Sequence, residues 1–338
     1  MVLAPTMDIP TPPSSQEPES GQASDGAASK PLQPPRPGSP LLWELGGLLV
    51  TVRPHQWVKN VFVLAPVVFA REIFDPMLLA RAGGAFSVFC CLAGAVYTLN
   101  DLADIEADRV HPLKRLRPIA SSRVSVSAAK GLLGALLVVS LIGIALLGSL
   151  PFATAAIGYF VLNLAYSLRL KHVAYLDVAL IASGFVLRVM AGGFATHIEV
   201  SGYLLGCTAL LALFLGFGKR RHELTVAQAR SRKAQRASLE GYSMRGLDWA
   251  LGGTAVATIA CYLAYTLDHR TEQFFASQNL WFTTSFVVLA VLRFLFLVRH
   301  RTKAESPTQE MLRDSTFVTI LLVWVGVVFW IVYNLKPT

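Results

Sequence analysis

The chain has 338 residues, of which 54% are hydrophobic and 15% are charged, and its mean hydropathy is +0.51. Soluble domains carry about 25% charged residues, so this composition excludes a soluble enzyme and indicates a polytopic membrane protein. The net charge of +9 suits anionic lipid headgroups of the bilayer or a polyanionic substrate, and we expect these partners and no nucleic acid.

The first 40 residues differ from the rest of the chain. They are rich in Pro, Ser, Gly, Glu and Gln and nearly lack aromatic residues, so they cannot bury a core and are predicted to form a disordered cytoplasmic tail. Residues 41–338 are predicted to form one all-α domain with nine transmembrane helices. Its apolar segments are 57–71, 77–100, 124–148, 151–168, 173–196, 202–218, 247–267, 279–298 and 315–335.

The loops between these segments alternate in charge. Basic residues cluster at 109–123, 169–171, 219–236 and 299–303, whereas the opposite loops hold few cations. Because cytoplasmic loops carry the excess of Lys and Arg, this pattern predicts a plasma-membrane protein whose N-terminus and basic loops lie on the cytoplasmic side. Nine crossings would then leave the C-terminus outside.

The four cysteines all lie in apolar segments. They are Cys90, Cys91, Cys207 and Cys261. Their positions suit small core residues, and they predict neither a disulfide framework nor a metal site.

An acidic motif closes the second apolar segment, with Asn100 followed by Asp101, Asp104 and Asp108. If the helix continues, the three carboxylates lie at i, i+3 and i+7 and share one face. Mg²⁺ prefers oxygen ligands and often bridges carboxylates to substrate phosphates, so we predict these three aspartates as catalytic metal ligands. The alternative is an acidic helix end that dips into water.

Further polar residues follow the fourth apolar segment. Tyr166 and Tyr175 are candidates for substrate binding or for an interfacial aromatic belt, and Lys171 is a candidate phosphate ligand or a topology signal. Asp177 is a further candidate for substrate binding, and Asn100 is a candidate to bind a phosphate oxygen or to orient a carboxylate. Arg188 lies three helical turns beyond Asp177, about 16 Å deeper at 1.5 Å per residue. A cation at that depth must face the protein interior or a wet cavity, so it forms either a structural ion pair or a fork for a phosphate.

A third group of cations ends the sixth segment in G-F-G-K-R-R-H-E, residues 216–223. Lys219 and Arg220 are candidates to hold phosphates there, with Lys59 as a weaker candidate. Together with the acidic motif they describe a site with a metal pole and a basic pole, as a pair of substrates with several phosphates requires.

The chain resembles the UbiA superfamily of intramembrane prenyltransferases. The motif N-D-x-x-D-x-x-x-D matches at residues 100–108, and the Tyr…Lys motif matches at Tyr166 and Lys171. One departure is informative, because Lys219 and Arg220 stand where members that use a prenyl diphosphate carry a second D-x-x-x-D motif. Three long strings resemble the actinobacterial branch that makes decaprenylphosphoryl-phosphoribose: R-P-H-Q-W-V-K-N at 53–60, N-D-L-A-D-I-E-A-D-R-x-H-P-x-K-R-x-R-P-I-A at 100–120, and G-F-G-K-R-R-H-E-L at 216–224.

This resemblance implies a UbiA-like helical bundle around a cytoplasm-facing site that uses Mg²⁺. It implies 5-phosphoribosyl 1-pyrophosphate as the donor, decaprenyl phosphate as the acceptor, and a product that feeds cell-wall arabinan synthesis. Two alternatives stay open: a prenyl transfer to an aromatic acceptor, and a membrane transporter of anions or lipids. The sequence also leaves open whether copies of the chain form a homo-oligomer.

Overall fold

A computed structural model describes residues 40–229, 239–275, 279–300 and 307–334. The predicted disordered tail lies outside these residues. Within them the regular elements are all helical, which confirms the all-α class. The thirteen α-helices are α1 Pro40–Val52, α2 Ala65–Phe69, α3 Pro76–Ala103, α4 Ile105–Val110, α5 Val126–Leu147, α6 Leu150–Leu168, α7 Leu176–Thr196, α8 Gly202–Ala229, α9 Met244–Leu267, α10 His269–Phe275, α11 Thr284–His300, α12 Pro307–Arg313 and α13 Ser315–Asn334.

Seven described helices are long and apolar enough to cross a bilayer. They are α3, α5, α6, α7, α8, α9 and α11 with the short 3₁₀ turn that precedes it. The two other predicted segments are shorter: 57–71 falls on a 3₁₀ helix, Pro54–Leu64, followed by α2, and the apolar part of α13 is Ser315–Ile331. Only 6% of the apolar stretch of α5 is fully buried inside the protein, as expected for a helix that packs on α3 with one side and contacts lipid with the other.

Two apolar clusters form the interior of the bundle. One joins α3, α6 and α7 and is centred on Phe89, Phe152 and Tyr159. The other joins α8, α9 and α11 and is centred on Phe214 and Phe294. Helix α7 packs against both α6 and α8, and so connects the two parts.

The long helices begin and end at residues that suit helix ends. Asp75 caps α3 by accepting bonds from the backbone N–H groups of Met77 and Leu78, and Ser125 caps α5 in the same way. Gly148 ends α5 with a φ of 62°, a left-handed conformation that glycine adopts without strain. These caps fix the lengths of α3 and α5 and therefore where the polar ends of the helices lie.

Helix α7 and the 3₁₀ helix Pro54–Leu64 approach each other at Gly192. A Cβ atom added there would lie 1.9 Å from the carbonyl oxygen of Val63, so only glycine permits this contact. The close approach brings this 3₁₀ helix against the C-terminal part of α7. It places Asn60 beside Arg188, at the centre of the candidate site.

The acidic motif does not form one uninterrupted helix. Helix α3 ends at Ala103, Asp104 has φ −96° and ψ 9°, and α4 begins at Ile105. Asp104 therefore lies at a break between two helices. This break divides the three aspartates between two environments.

Candidate active site

Two of the three predicted metal ligands meet in a buried ion-pair network. Nη1 of Arg117 lies 2.6 Å from Asp108 and 3.2 Å from Asp101, and Nη2 of Arg53 lies 2.6 Å from Asp101. Both carboxylates are buried, whereas the side chains of both arginines stay partly exposed. We call these four residues the acid–arginine cluster. The predicted single helical face of three carboxylates does not form, because the helix breaks at Asp104; Asp101 and Asp108 instead converge on the guanidinium group of Arg117.

Asp104 lies outside the acid–arginine cluster. It lines a cavity of about 300 Å³ between the ends of α3 and α6, together with Asn100, Ser167, Lys171 and His172. Ser167 donates a short hydrogen bond to the side-chain carbonyl oxygen of Asn100, and this bond ties the two helix ends together. The predicted substrate residues Asn100 and Lys171 are thus neighbours of Asp104 in one cavity.

The oxygen donors of the acidic motif suit Mg²⁺. In the described residues no group of three His, Cys, Asp or Glu side chains is arranged to hold a metal ion. Mg²⁺ is usually bound by one or two carboxylates and by substrate phosphates, so the converging pair Asp101 and Asp108 fits an ion that is shared with a phosphorylated substrate. Asp104, at the adjoining cavity, would be the third candidate ligand.

Arg188 occupies the interior of the bundle. Its Nε donates to Oδ1 of Asn60 at 2.8 Å, Nη1 to the carbonyl oxygen of Gly184 at 2.9 Å, and Nη2 to the hydroxyl of Tyr159 at 2.7 Å. Its guanidinium also lies over the Tyr159 ring, 4.6 Å from the centroid. In the described part of the chain Arg188 has no carboxylate partner, so the predicted alternative of a structural ion pair is not what these residues show.

Lys59 lies outside the seven spans and faces the same interior. Burial against the surrounding protein lowers the pKa of Lys59 to about 8, and the positive charges of Lys219, Arg188 and Arg53 lower it further in that order. Lys59 is nevertheless an exposed residue, so part of its side chain stays in contact with solvent. We call Arg53, Lys59, Arg188 and Lys219 the cation group. Positive charges that repel each other in a partly enclosed space indicate an anion site.

A second ion-pair network joins the ends of α7 and α8. Nε of Arg220 lies 2.6 Å from the buried carboxylate of Asp177, and Nη1 lies 2.6 Å from Glu223. Tyr242 donates a short hydrogen bond to Asp177, and the Tyr166 hydroxyl bonds to Arg220. Burial and the Asp177 carboxylate raise the pKa of Tyr242, so the phenol stays a hydrogen-bond donor.

Tyr175 completes the corner that this network forms. It has a φ of 65°, and its ring packs on Tyr242 with 4.8 Å between centroids. The chain after α8 therefore returns to the N-terminus of α7 at residues 239–243. The remainder of the basic segment, 230–238, lies outside the described residues. Arg220, Asp177, Tyr166 and Tyr175 shape this corner, whereas Lys219, one residue earlier, contacts Glu223 only at 3.8 Å.

The structure thus places most of the candidate residues in separate groups: Asp101 and Asp108 in the acid–arginine cluster, Asn100, Asp104 and Lys171 around one cavity, and Tyr166, Tyr175, Asp177 and Arg220 at the start of α7. Arg188 lies deeper, inside the bundle. Sequence reasoning missed Arg53, Arg117, Asn60 and Tyr159, which bind the predicted residues directly. Arg53 and Asn60 belong to the string 53–60, and Arg117 belongs to the string 100–120. Both strings carry the family resemblance, so these three residues could have been selected from them. Tyr159 stands in an apolar segment and gave no signal.

Comparisons with known proteins agree with this architecture. The UbiA prenyltransferase family profile matches residues 61–223. A solved structure titled as a UbiA homolog from Archaeoglobus fulgidus bound to GPP and Mg²⁺ superposes with a TM-score of 0.58 at 20% identity, over 85% of this chain and 99% of that chain. At that identity the likeness shows the fold.

Closer relatives extend over most of the chain. A protein named decaprenyl-phosphate phosphoribosyltransferase from Corynebacterium glutamicum is 36% identical over 293 residues, which cover 85% of this chain and 87% of the relative. A protein of the same name from Mycobacterium tuberculosis is 37% identical over 292 residues, which cover 84% and 93%. These comparisons confirm the resemblance read from the motifs: the chain is a membrane-embedded protein that belongs to the UbiA prenyltransferase family.

Proposed function

We propose that this protein transfers the 5-phosphoribosyl group from 5-phosphoribosyl 1-pyrophosphate to decaprenyl phosphate. The products are decaprenylphosphoryl-5-phosphoribose and pyrophosphate, and the lipid product would feed cell-wall arabinan synthesis. The names of the relatives that share more than a third of their residues with this chain support the assignment.

The distribution of charge in the site carries the proposal. The acid–arginine cluster holds two buried carboxylates at one pole, and the cation group lies beside it. A donor with two phosphorylated ends and an acceptor with one phosphate require more cations than a single prenyl diphosphate does. At the end of α8, where a second acidic motif would serve a prenyl diphosphate, Lys219 and Arg220 are present instead.

The described residues suggest how the reaction proceeds. Asp101, Asp108 and Asp104 are our candidates to hold Mg²⁺, which when bound stabilises negative charge on the leaving pyrophosphate. Lys59, Lys219 and Arg188 supply positive charge for the remaining phosphates. The bond from ribose C1 to the pyrophosphate oxygen breaks as a phosphate oxygen of the acceptor attacks C1 from the opposite face.

This chemistry needs no general base. A polyprenyl phosphate is already an anion near neutral pH, so its oxygen can attack without losing a proton. In the cavity beside Asp104, Lys171 can hold a phosphate, and Asn100 is fixed there by Ser167. The hydrocarbon tail of the acceptor would lie between helices, in contact with lipid.

We also propose the orientation predicted from the loops. The basic loops and the N-terminus would face the cytoplasm, where a soluble phosphorylated donor is available. Nine crossings, a C-terminus outside and a homo-oligomer stay predictions. Labelling of single cysteines placed at residues 115 and 270 with a membrane-impermeant reagent in intact cells tests the orientation, because only the second should react.

A direct assay tests the reaction. Membranes that contain the protein are incubated with labelled 5-phosphoribosyl 1-pyrophosphate and decaprenyl phosphate, with and without Mg²⁺. We expect a labelled lipid that requires both substrates and the metal, and that Asp101→Asn abolishes. Glu106→Gln is the matched control, because Glu106 belongs to the same motif but is exposed, and among the described residues its ion pair is with Arg109.

Three results would contradict the proposal. Full turnover by Asp101→Asn would remove the metal pole from the mechanism. Label that enters lipid only from a prenyl diphosphate and an aromatic acid would support the aromatic prenyltransferase. Uptake into vesicles without any product would support a transporter.

A further inference from the structure

Each buried carboxylate of the acid–arginine cluster already has a cation of the protein itself as partner. Arg117 bridges Asp101 and Asp108, and Arg53 binds Asp101 a second time. The two guanidinium groups balance the two carboxylates in charge. Both contacts to Asp101 go to Oδ1, and the contact to Asp108 goes to Oδ2. A metal ion that binds these oxygens adds two positive charges to the cluster, so it competes with both arginines for the same carboxylates.

Both arginines are placed so that they can move away from the carboxylates. Their side chains are 26% and 28% exposed, in contrast to 2% and 3% for the carboxylates that they contact. Neither arginine belongs to a membrane-spanning helix, since Arg53 precedes the 3₁₀ helix at Pro54 and Arg117 lies between α4 and α5. Asp101 and Asp108 thus lie on helices, whereas Arg53 and Arg117 lie on segments that connect helices.

Arg53 also lies close to the rest of the cation group, which is our candidate for binding phosphate. The charge of Arg53 acts on Lys59, so Arg53 belongs to the acid–arginine cluster and to the cation group at once. A guanidinium group binds two phosphate oxygens with the same fork that it offers to a carboxylate. An arginine released from Asp101 would therefore find an alternative anion within its reach when a pyrophosphate enters.

We propose that Arg53 and Arg117 are exchangeable counter-ions of the metal site. In the free protein they neutralise Asp101 and Asp108; when Mg²⁺ enters with the pyrophosphate of the donor, they yield the carboxylates to the metal and bind the pyrophosphate. The inference rests on the proposed function, which supplies the metal and the pyrophosphate. Its consequence is that Mg²⁺ alone binds weakly, whereas Mg²⁺ with pyrophosphate binds tightly.

The exchange predicts effects of opposite sign, which a structural role would not produce. In Arg117→Gln the carboxylates lose their internal competitor, so the affinity for Mg²⁺ alone should rise by about tenfold, within the usual range of coupling between two sites. The same variant loses a pyrophosphate ligand, so the affinity for pyrophosphate in the presence of saturating Mg²⁺ should fall by about tenfold. Arg53→Gln should change both affinities in the same directions.

Calorimetric titration of the purified full-length protein in detergent measures both affinities, with MgCl₂ and sodium pyrophosphate as probes. Arg115→Gln is the matched control: Arg115 is exposed on the same connection as Arg117, and both affinities should match the wild type. Arg117→Lys serves if the glutamine variant does not fold. It keeps the competing charge but lacks the fork, so the affinity for Mg²⁺ should stay unchanged while that for pyrophosphate falls.

The outcomes separate this inference from the function on which it rests. If both affinities fall together, or if Mg²⁺ binding is unchanged in Arg117→Gln, the arginines are only structural and the exchange is wrong. If the wild type binds no pyrophosphate in the presence of Mg²⁺, the proposed function is wrong as well. Opposite changes in the two affinities support both.

Discussion

Arg188 donates from Nε to Oδ1 of Asn60 at 2.8 Å, across 128 positions of the chain. The pair joins the middle of α7 to the 3₁₀ helix Pro54–Leu64, and both residues are buried. The guanidinium donates one hydrogen bond from each of its three nitrogens, but all three acceptors are neutral groups, so among the described residues its charge is not balanced by a carboxylate. A buried charge without a counter-charge costs stability, so an anionic substrate is the natural reason for its presence.

Replacement of Arg188 should therefore separate stability from activity. Arg188→Met keeps a similar volume and removes the buried charge, so we expect an unchanged or higher thermal unfolding temperature in detergent. Turnover should fall by about a hundredfold, as for the loss of one stabilising donor in an active site.

Arg81 provides the control for this variant. It binds the carbonyl oxygens of Leu147 and Ala195 at the other end of the bundle, so Arg81→Met should lower stability without a specific loss of turnover per folded molecule. A large loss of stability in Arg188→Met with normal turnover would assign Arg188 to the fold alone.

The Asp177–Arg220 ion pair should stabilise the fold. Removal of one partner leaves the other charge buried and alone, so Asp177→Asn and Arg220→Gln should each lower the free energy of unfolding by about 3 kcal/mol. The double variant should cost less than the sum by at least about 1 kcal/mol, because both changes remove the same interaction. Titration with sodium dodecyl sulfate in mixed micelles measures these free energies.

The exposed pair of Arg109 and Glu106 is the comparison for this cycle. The corresponding variants, Arg109→Gln and Glu106→Gln, should each stay within about 0.5 kcal/mol of the wild type. Additive losses at Asp177 and Arg220 would show that Arg220 acts independently, as expected if it binds substrate.

Much of this arrangement could be predicted from the sequence. The hydropathy of the long segments predicts the all-α class of the fold correctly. The acidic motif is predicted to present three carboxylates on one helical face if the helix continues, but the helix breaks at Asp104 and only Asp101 and Asp108 meet, through Arg117. The metal pole and the basic pole stay predictions, which the charges around Asp101 and Lys59 support. These features depend on periodicity and charge, which can be read locally.

The partners of these residues could not be predicted in the same way. Arg117 follows Asp101 by 16 positions and looks like any other cation of a cytoplasmic loop, yet it turns back to bridge two aspartates. Arg220 stands in a basic string and is predicted to bind a phosphate, but in the structure its guanidinium forms ion pairs with Asp177 and Glu223. The break at Asp104 likewise has no glycine or proline to announce it. Each of these depends on tertiary contacts that a local pattern does not contain.

Gly192 should be one of the least tolerant positions in the chain. Gly192→Ala would place Cβ 1.9 Å from the carbonyl oxygen of Val63, so the 3₁₀ helix must move away from α7 and carry Asn60 with it. Such overpacking costs about 1–3 kcal/mol, and we expect a lower unfolding temperature together with reduced turnover.

Gly158→Ala is the control for that variant. Nothing lies within 4 Å of a Cβ at this position in α6, and alanine favours a helix by about 0.8–1 kcal/mol over glycine, so stability should be retained or increased. Equal unfolding temperatures and turnover of the two alanine variants would show that the close approach of Val63 to α7 contributes neither to stability nor to activity.

Lys59 should make the affinity for the donor depend on pH. Its pKa is lowered to about 8, so the free protein carries a charged Lys59 below pH 8 and a neutral one above. A bound phosphate favours the charged form and raises that pKa, so binding above pH 8 requires uptake of a proton and weakens as the pH rises. From pH 7.5 to 9.5 we expect the affinity for 5-phosphoribosyl 1-pyrophosphate to fall by about tenfold, measured by titration in the presence of Mg²⁺.

Lys59→Arg provides the decisive comparison. An arginine stays protonated throughout this range, so the variant should lose most of the pH dependence even if its absolute affinity is lower. Lys171→Arg, in the neighbouring cavity, should keep the wild-type pH profile, because Lys59 is still present. If the affinity of the wild type is constant between pH 7.5 and 9.5, or if both arginine variants show the same decline, Lys59 does not contact the donor, and the anion must be held by the other members of the cation group, Arg53, Arg188 and Lys219.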